Sequence, residues 1–244
     1  MDALLTLEAL DKSFGGVHAV DHVSFSVQKG EILGLIGPNG SGKSTIVNLI
    51  AGTYQKDGGE VFLEGKPITP LSIAKRARLG IGRTFQAPRA FTGLTVFDSV
   101  YTVCLQQCGF LEAEDRAAEV LRRTKLLPQA RSMSESLPIE KRKWLDLARI
   151  LAMEPKLIML DEVLAGLNPS EMHSSLDLVE SINAQGVSIL FIEHVMRAVK
   201  RICHRVVVIN EGQFLADGTP DEALNDEKVV KAYLGGGRTR HVRN

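Results

Sequence analysis

Apolar residues in this chain recur with two periods. Glu31–Ile36 is a short apolar run that reads as a buried parallel strand, and Ser44–Ala51 has the length and composition of a helix. Leu157–Leu160, Val187–Ile192 and Val206–Ile209 are further apolar runs of the parallel-sheet kind. Leu4–Leu10, Val23–Val27 and Gly59–Leu63 lie among the turn sequences Gln28-Lys29-Gly30-Glu31, Asp57-Gly58-Gly59 and Glu64-Gly65-Lys66-Pro67, and are expected to form an antiparallel β layer. From about Phe91 to Glu154 the pattern becomes helical. Ala117, Val120, Leu121, Thr124 and Leu127 fall on one face, while Glu112, Glu114, Asp115, Arg122 and Arg123 face water.

Beyond these, Glu171–Asn183 carries an apolar line at Met172, Leu176, Val179 and Ile182, the pattern of a helix covering a sheet. Asn210-Glu211-Gly212-Gln213 predicts a hairpin turn. One last helix is expected from near Asp221 through Leu234, stopped by Gly235-Gly236-Gly237. The economical account is an α/β fold with a mainly helical insertion.

A chain of 244 residues, 44% apolar and with 29 basic against 29 acidic residues, fits a soluble globular protein and gives no sign of a nucleic-acid-binding surface. Cys104, Cys108 and Cys203 show no metal-ligand spacing, which fits the reducing cytoplasm. The N-terminus lacks the pattern of a signal peptide, and no apolar segment reaches about twenty residues, so any membrane role is expected to come through a partner.

The chemistry is concentrated at Gly37-Pro-Asn-Gly-Ser-Gly-Lys-Ser-Thr45, between the strand and the helix. Glycines at 37, 40 and 42 allow successive backbone N–H groups to face an anion, and the helix terminus adds a favourable field. Lys43 would reach the β/γ oxygens, Ser44 would ligate Mg2+, and Asn39, Gly40, Gly42 and Thr45 would complete the cradle. The bland alternative, a plain glycine loop, does not explain the full motif in strand–helix context.

Asp161 and Glu162 end the apolar run at Leu157, where α/β sheets gather ligands. Asp161 is the candidate Mg2+ supporter and Glu162 the candidate base for an attacking water. His194, after another apolar strand, could contact a γ-phosphate or simply bond backbone. Gln86 lies on an irregular connection from which it could approach Mg2+ or water. Phe14 could offer a flat face to adenine, extended by Val20, or belong to the core. Ala165–Pro169 is expected to be a tight turn carrying Asn168 toward a second nucleotide domain.

This ordered set resembles the ATP-binding subunit of an ABC transporter, from about Leu4 to Leu234. Phe14 matches the family's adenine-stacking aromatic, Gly37–Thr45 its Walker A, Gln86 its Q-loop, Asp161 and Glu162 its Walker B end and catalytic glutamate, Ala165–Pro169 its D-loop, and His194 its switch histidine. The resemblance implies a P-loop NTPase with a RecA-like core, an antiparallel β subdomain and an inserted helical subdomain. Residues 1–88 and 155–234 would be the core with its β layer, 89–154 the helical part and 235–244 a flexible tail.

The resemblance also implies ATP and Mg2+ as cofactors, a second ABC ATPase and transmembrane permease subunits as partners, gripped around Arg89 and Phe91, and a place on the cytoplasmic face of the membrane. Glu162–Pro169 and Val229–Gly235 resemble the branched-chain amino acid importer group, whose members also serve urea and short amides. That implies an importer with a solute-binding protein. The alternatives are an exporter ATPase, including the lipopolysaccharide-transport type, and a nucleotide-binding regulatory domain with little turnover.

One departure stands out. Where the family carries Leu-Ser-x-Gly-Gln, this chain has Leu137-Pro138-Ile139-Glu140-Lys141. Pro138 has no hydroxyl or amide proton, and Glu140 brings a carboxylate where the family brings glycine toward a phosphate. Compensation would need Lys141 or Arg142 to reach inward, or a partner whose signature is intact.

Overall fold

The computed structural model describes residues 3–84 and 91–235. They divide into two compact units, one formed by the chain up to Leu71 and from Leu190 onward, the other by Ser72 to Ile189.

The first unit opens with a long ribbon of β1 (Ala3–Phe14) and β2 (Val17–Gln28), then β3 (Ile32–Ile36), α1 (Lys43–Ala51), β4 (Gly58–Leu63) and β5 (Lys66–Pro67). The antiparallel layer has the order β2-β1-β4-β5. Its register sets Leu5 opposite Val27 and Leu63, and Leu7 opposite Phe25 and Val61, so that alternate side chains meet on one buried face. The ribbon runs well past the two apolar stretches that announced it, because the polar segment Asp11–Ser13 also pairs, through β-bulges.

The second unit contains α2 (Ile73–Arg78), β6 (Ile81–Arg83), α3 (Val96–Cys104), α4 (Phe110–Arg123), α5 (Ile139–Leu151), β7 (Leu157–Asp161), α6 (Pro169–Asn183) and the start of β8 (Ser188–Ile192). It thus reaches beyond the helices of 89–154 to include two parallel strands, β6 and β7, with Ile81 opposite Leu157 and Arg83 opposite Met159. Thr95 caps α3, and Asn168 and Glu171 form a capping box on α6 with Pro169 in its first turn. Ala117, Val120, Leu121 and Thr124 are buried as their spacing predicts, but Leu127 does not share their face. The chain turns at Lys125, with φ +56, and Leu127 begins a separate 3-10 turn.

The first unit resumes with α7 (Met196–Ile202), β9 (Arg205–Asn210), β10 (Gln213–Gly218), α8 (Pro220–Asn225) and α9 (Glu227–Gly235). β9 lies parallel to β3, and the turn to β10 places Glu211 and Gly212 at φ +50 and +81, as the hairpin requires. The single terminal helix expected after Asp221 is instead two. Asp226 is extended and its Oδ1 accepts from the Lys228 amide at 2.7 Å, a local bond that starts α9 afresh.

Candidate functional site

In the first unit the segment between β3 and α1 is shaped by close backbone approach. A Cβ on Gly37 would lie 1.9 Å from the Ile209 carbonyl oxygen, and one on Gly42 2.2 Å from that of Ala19. Gly42 is also the left-handed N-cap of α1, at φ +103, and the helix start has neither a side-chain cap nor an acidic residue in its first turn. Such a terminus favours an anion.

Gly40 separates the two effects, because at φ +79 it is left-handed but its Cβ would meet nothing within 4 Å. G40A is expected to cost about 1 kcal/mol of folding stability and G42A about 3 kcal/mol or more, because only the latter adds a backbone clash to the strain. Urea unfolding of the two variants measures the difference, and equal losses would refute the packing argument.

The Lys43 ammonium bends back over the loop, donating to the Gly37 and Pro38 carbonyls at 2.9 Å each and to Ser41 Oγ at 3.4 Å. Asn39, Gly40 and Ser44 are exposed and Thr45 is half-buried. An open cleft of about 390 Å3 is lined by Val17, His18, Ala19, Gly40 to Thr45 and Glu211. Sequence reasoning missed His18 and Glu211 here. His18 is held by Asp11 Oδ2 at 2.8 Å, and the turn bearing Glu211 is tied to the loop by the Gly212 amide donating to the Ser41 carbonyl at 3.0 Å. Tyr233 of α9, its hydroxyl pKa pushed up by burial, hydrogen-bonds the Gly37 backbone and so links the last helix to the loop.

Phe14 ends β1 half in solvent, with the Tyr54 ring edge-on at 5.3 Å and the Lys12 ammonium 5.2 Å from its centroid. A ring so placed can stack on a flat ligand. Val20 cannot extend that surface as expected: its side chain is fully buried. His194 is exposed between β8 and α7. Burial, then Glu193, pushes the Cys203 thiol up to about 12, which removes it as a nucleophile near neutral pH.

In the second unit β7 delivers Asp161, buried, at its last position. Its Oδ2 accepts from Arg83 Nη2 at 3.2 Å and its amide donates to Thr84 Oγ1 at 3.1 Å. Glu162 follows, half-buried and left-handed at φ +50, a conformation costing about 1–2 kcal/mol outside glycine and often stored at functional sites. The Ala165 amide donates to the Glu162 carbonyl and the Leu167 amide to that of Leu164, both at 3.2 Å, which closes the turn before α6. Gln86 and Arg89 lie outside the described residues.

Pro138 is the exposed N-cap of α5, without a side-chain cap bond. Arg142 donates to the Leu137 and Glu135 carbonyls at 2.7 Å each, and the Lys141 ammonium sits 3.4 Å from the Trp144 ring centroid. Burial pushes the Glu140 carboxyl up and the Lys141 ammonium down.

A glycine-built anion cradle between β3 and α1, closed by a lysine at the helix start, defines a P-loop nucleotide-binding protein. The chain belongs to the ABC transporter family: residues 20–165 match the family model of that description, and residues 215–239 match one described as branched-chain amino acid ATP-binding cassette transporter. It is 38% identical over 249 residues to the high-affinity branched-chain amino acid transport ATP-binding protein LivG of Salmonella typhimurium, covering 95% of this chain and 98% of LivG. It is 36% identical over 236 residues to the lipopolysaccharide export system ATP-binding protein LptB of Escherichia coli, covering 96% and 98%. The crystal structure of the ADP conformation of MJ1267, an ATP-binding cassette of an ABC transporter, superposes with a TM-score of 0.86 at 32% identity, covering 96% of this chain and 100% of that one.

The chain is therefore an ABC ATPase with the P-loop NTPase fold. Among the described residues no helix is long and apolar enough to cross a membrane.

Proposed function

We propose that this chain is the ATP-hydrolysing subunit of an importer for branched-chain amino acids or other small amino acids and amides such as urea. It works at the cytoplasmic face of the membrane with permease subunits and a solute-binding protein. The observation that carries uptake is the match of residues 215–239 to the branched-chain group, a stretch remote from the phosphate loop in sequence.

In this reading Phe14 stacks on adenine, and the amides from Asn39 to Thr45 with Lys43 hold the phosphates. Ser44 and Asp161 offer hard oxygens that suit Mg2+, as does Gln86, and the ion when bound neutralises phosphate charge. Glu162 accepts the proton of the attacking water, and His194 orients that water. Pro138 and Glu140 offer a facing nucleotide little, so the second ATPase is a related chain with an intact signature.

Proteoliposomes holding this chain with its partner ATPase and permease subunits, supplied with the solute-binding protein, are expected to take up labelled leucine or urea about tenfold faster with ATP than without. Export is the second reading, favoured by the LptB identity over the same share of the chain. Co-purification with lipopolysaccharide-extracting membrane subunits, with no ATP-dependent uptake, would replace the first reading by the second.

A further inference from the structure

We propose that Lys143 is a positioning residue for hydrolysis, through which α5 sets the backbone turn that carries Glu162. The kinetic side of this proposal rests on the ATPase reading above; the structural side stands on geometry alone.

The Lys143 ammonium donates to the Val163 carbonyl at 2.9 Å and the Ala165 carbonyl at 2.5 Å. These carbonyls belong to the turn that opens with left-handed Glu162. Glutamate does not hold that conformation by preference, and two backbone bonds that close the turn, at 3.2 Å, lie at the upper end of the usual range. A cation shared by two carbonyls of the turn fixes the orientation of the peptide planes following Glu162, and with them the direction in which its carboxylate leaves the backbone.

α5 is itself anchored. Trp144 is buried and donates from Nε1 to Ser175 Oγ of α6 at 3.1 Å, and the Asn168 cap begins α6 where the turn ends. The turn is thereby held by β7 before it, α6 after it and α5 beside it.

This arrangement assigns α5 a second task. Lys143 lies three residues after Glu140 and five after Pro138, within the first turns of the helix whose start faces the partner's nucleotide in the proposed assembly. A shift of that helix start carries Lys143 with it and re-aims Glu162 of the same chain. The helix that has lost the family's phosphate donors keeps a grip on its own chain's base, which couples the two nucleotide sites through one side chain.

The test uses K143M, which keeps the stem and removes the charge; K143R, which restores it; and K141M as a control that removes a neighbouring cation stacked on Trp144. Hydrogen exchange of the full chain, without nucleotide, is expected to show the amides from Val163 to Leu167 opening at least about fivefold faster in K143M, but unchanged in K143R and K141M. In the assembled ATPase, kcat of K143M is expected to fall about tenfold with KM for ATP within about twofold, and K143R to recover most of it.

Unchanged exchange in K143M overturns the clamp. Faster exchange with unchanged kcat overturns its role in positioning Glu162. Faster exchange in an assembly whose parent shows no turnover leaves the clamp standing and defeats the ATPase reading instead. Should K143M unfold, the K143R rates decide: loss of kcat with retained turn protection would also overturn the proposal.

Discussion

E162Q is expected to slow phosphate release by about 100-fold to 1,000-fold while leaving Mg-ATP affinity within about twofold. The substitution keeps the size of the side chain and one accepting oxygen, while it removes the negative charge and the basicity and puts an NH2 donor in place of the other oxygen. Glutamine meets the same left-handed backbone at φ +50, so the turn retained by Lys143 changes little. Binding depends on the loop and on Lys43, which the substitution leaves alone, whereas proton acceptance is the one step the amide cannot perform. Single-turnover phosphate release with radiolabelled ATP separates these quantities, and release at the parental rate would end the assignment of Glu162 as base.

Measured in the full assembly, the same variant also tests asymmetry. Glu162 faces the partner's signature in the proposed dimer, while the partner's glutamate works opposite Pro138 and Glu140. Disabling Glu162 is then expected to remove most turnover and disabling the partner's glutamate rather little. Equal effects would reject the asymmetric pairing.

How much of this was legible beforehand depended on whether a feature is local in the chain. The phosphate loop was readable because strand, glycines, lysine and helix are contiguous, and the acidic pair because it ends an uninterrupted apolar run. The polar stretch Asp11–Ser13 concealed the end of β1, since its pairing comes from the facing strand rather than its own alternation. Val20 looked like a ligand contact from its place near Phe14, yet strand register turns it inward. The break at Asp226 depended on one side chain outcompeting the helix for an amide. His18, Glu211, Tyr233 and Lys143 all act on segments distant in sequence, and no spacing rule announces a lysine whose partners are carbonyls twenty or more residues away.

Lys43 yields the second large effect. Its ammonium now donates to two neutral carbonyls and a hydroxyl, partners that the loop supplies from its own backbone and from Ser41. Triphosphate oxygens are the stronger acceptors, because charge-assisted bonds are roughly twice as strong as neutral ones, so the ammonium gains by exchanging partners when nucleotide enters. K43A should lower Mg-ATP affinity at least about 100-fold, equivalent to about 2.7 kcal/mol. Stability without nucleotide should change by under about 1 kcal/mol, since the bonds lost in the half-buried loop have small net worth against water. K43R should rescue poorly, because a planar guanidinium does not replace a compact ammonium inside a closed backbone loop. Titration with a fluorescent ATP analogue, alongside thermal unfolding without nucleotide, separates the two effects. Undiminished affinity in K43A would show that the backbone amides alone hold the phosphates, while a collapse of stability would assign Lys43 to the fold rather than to the ligand.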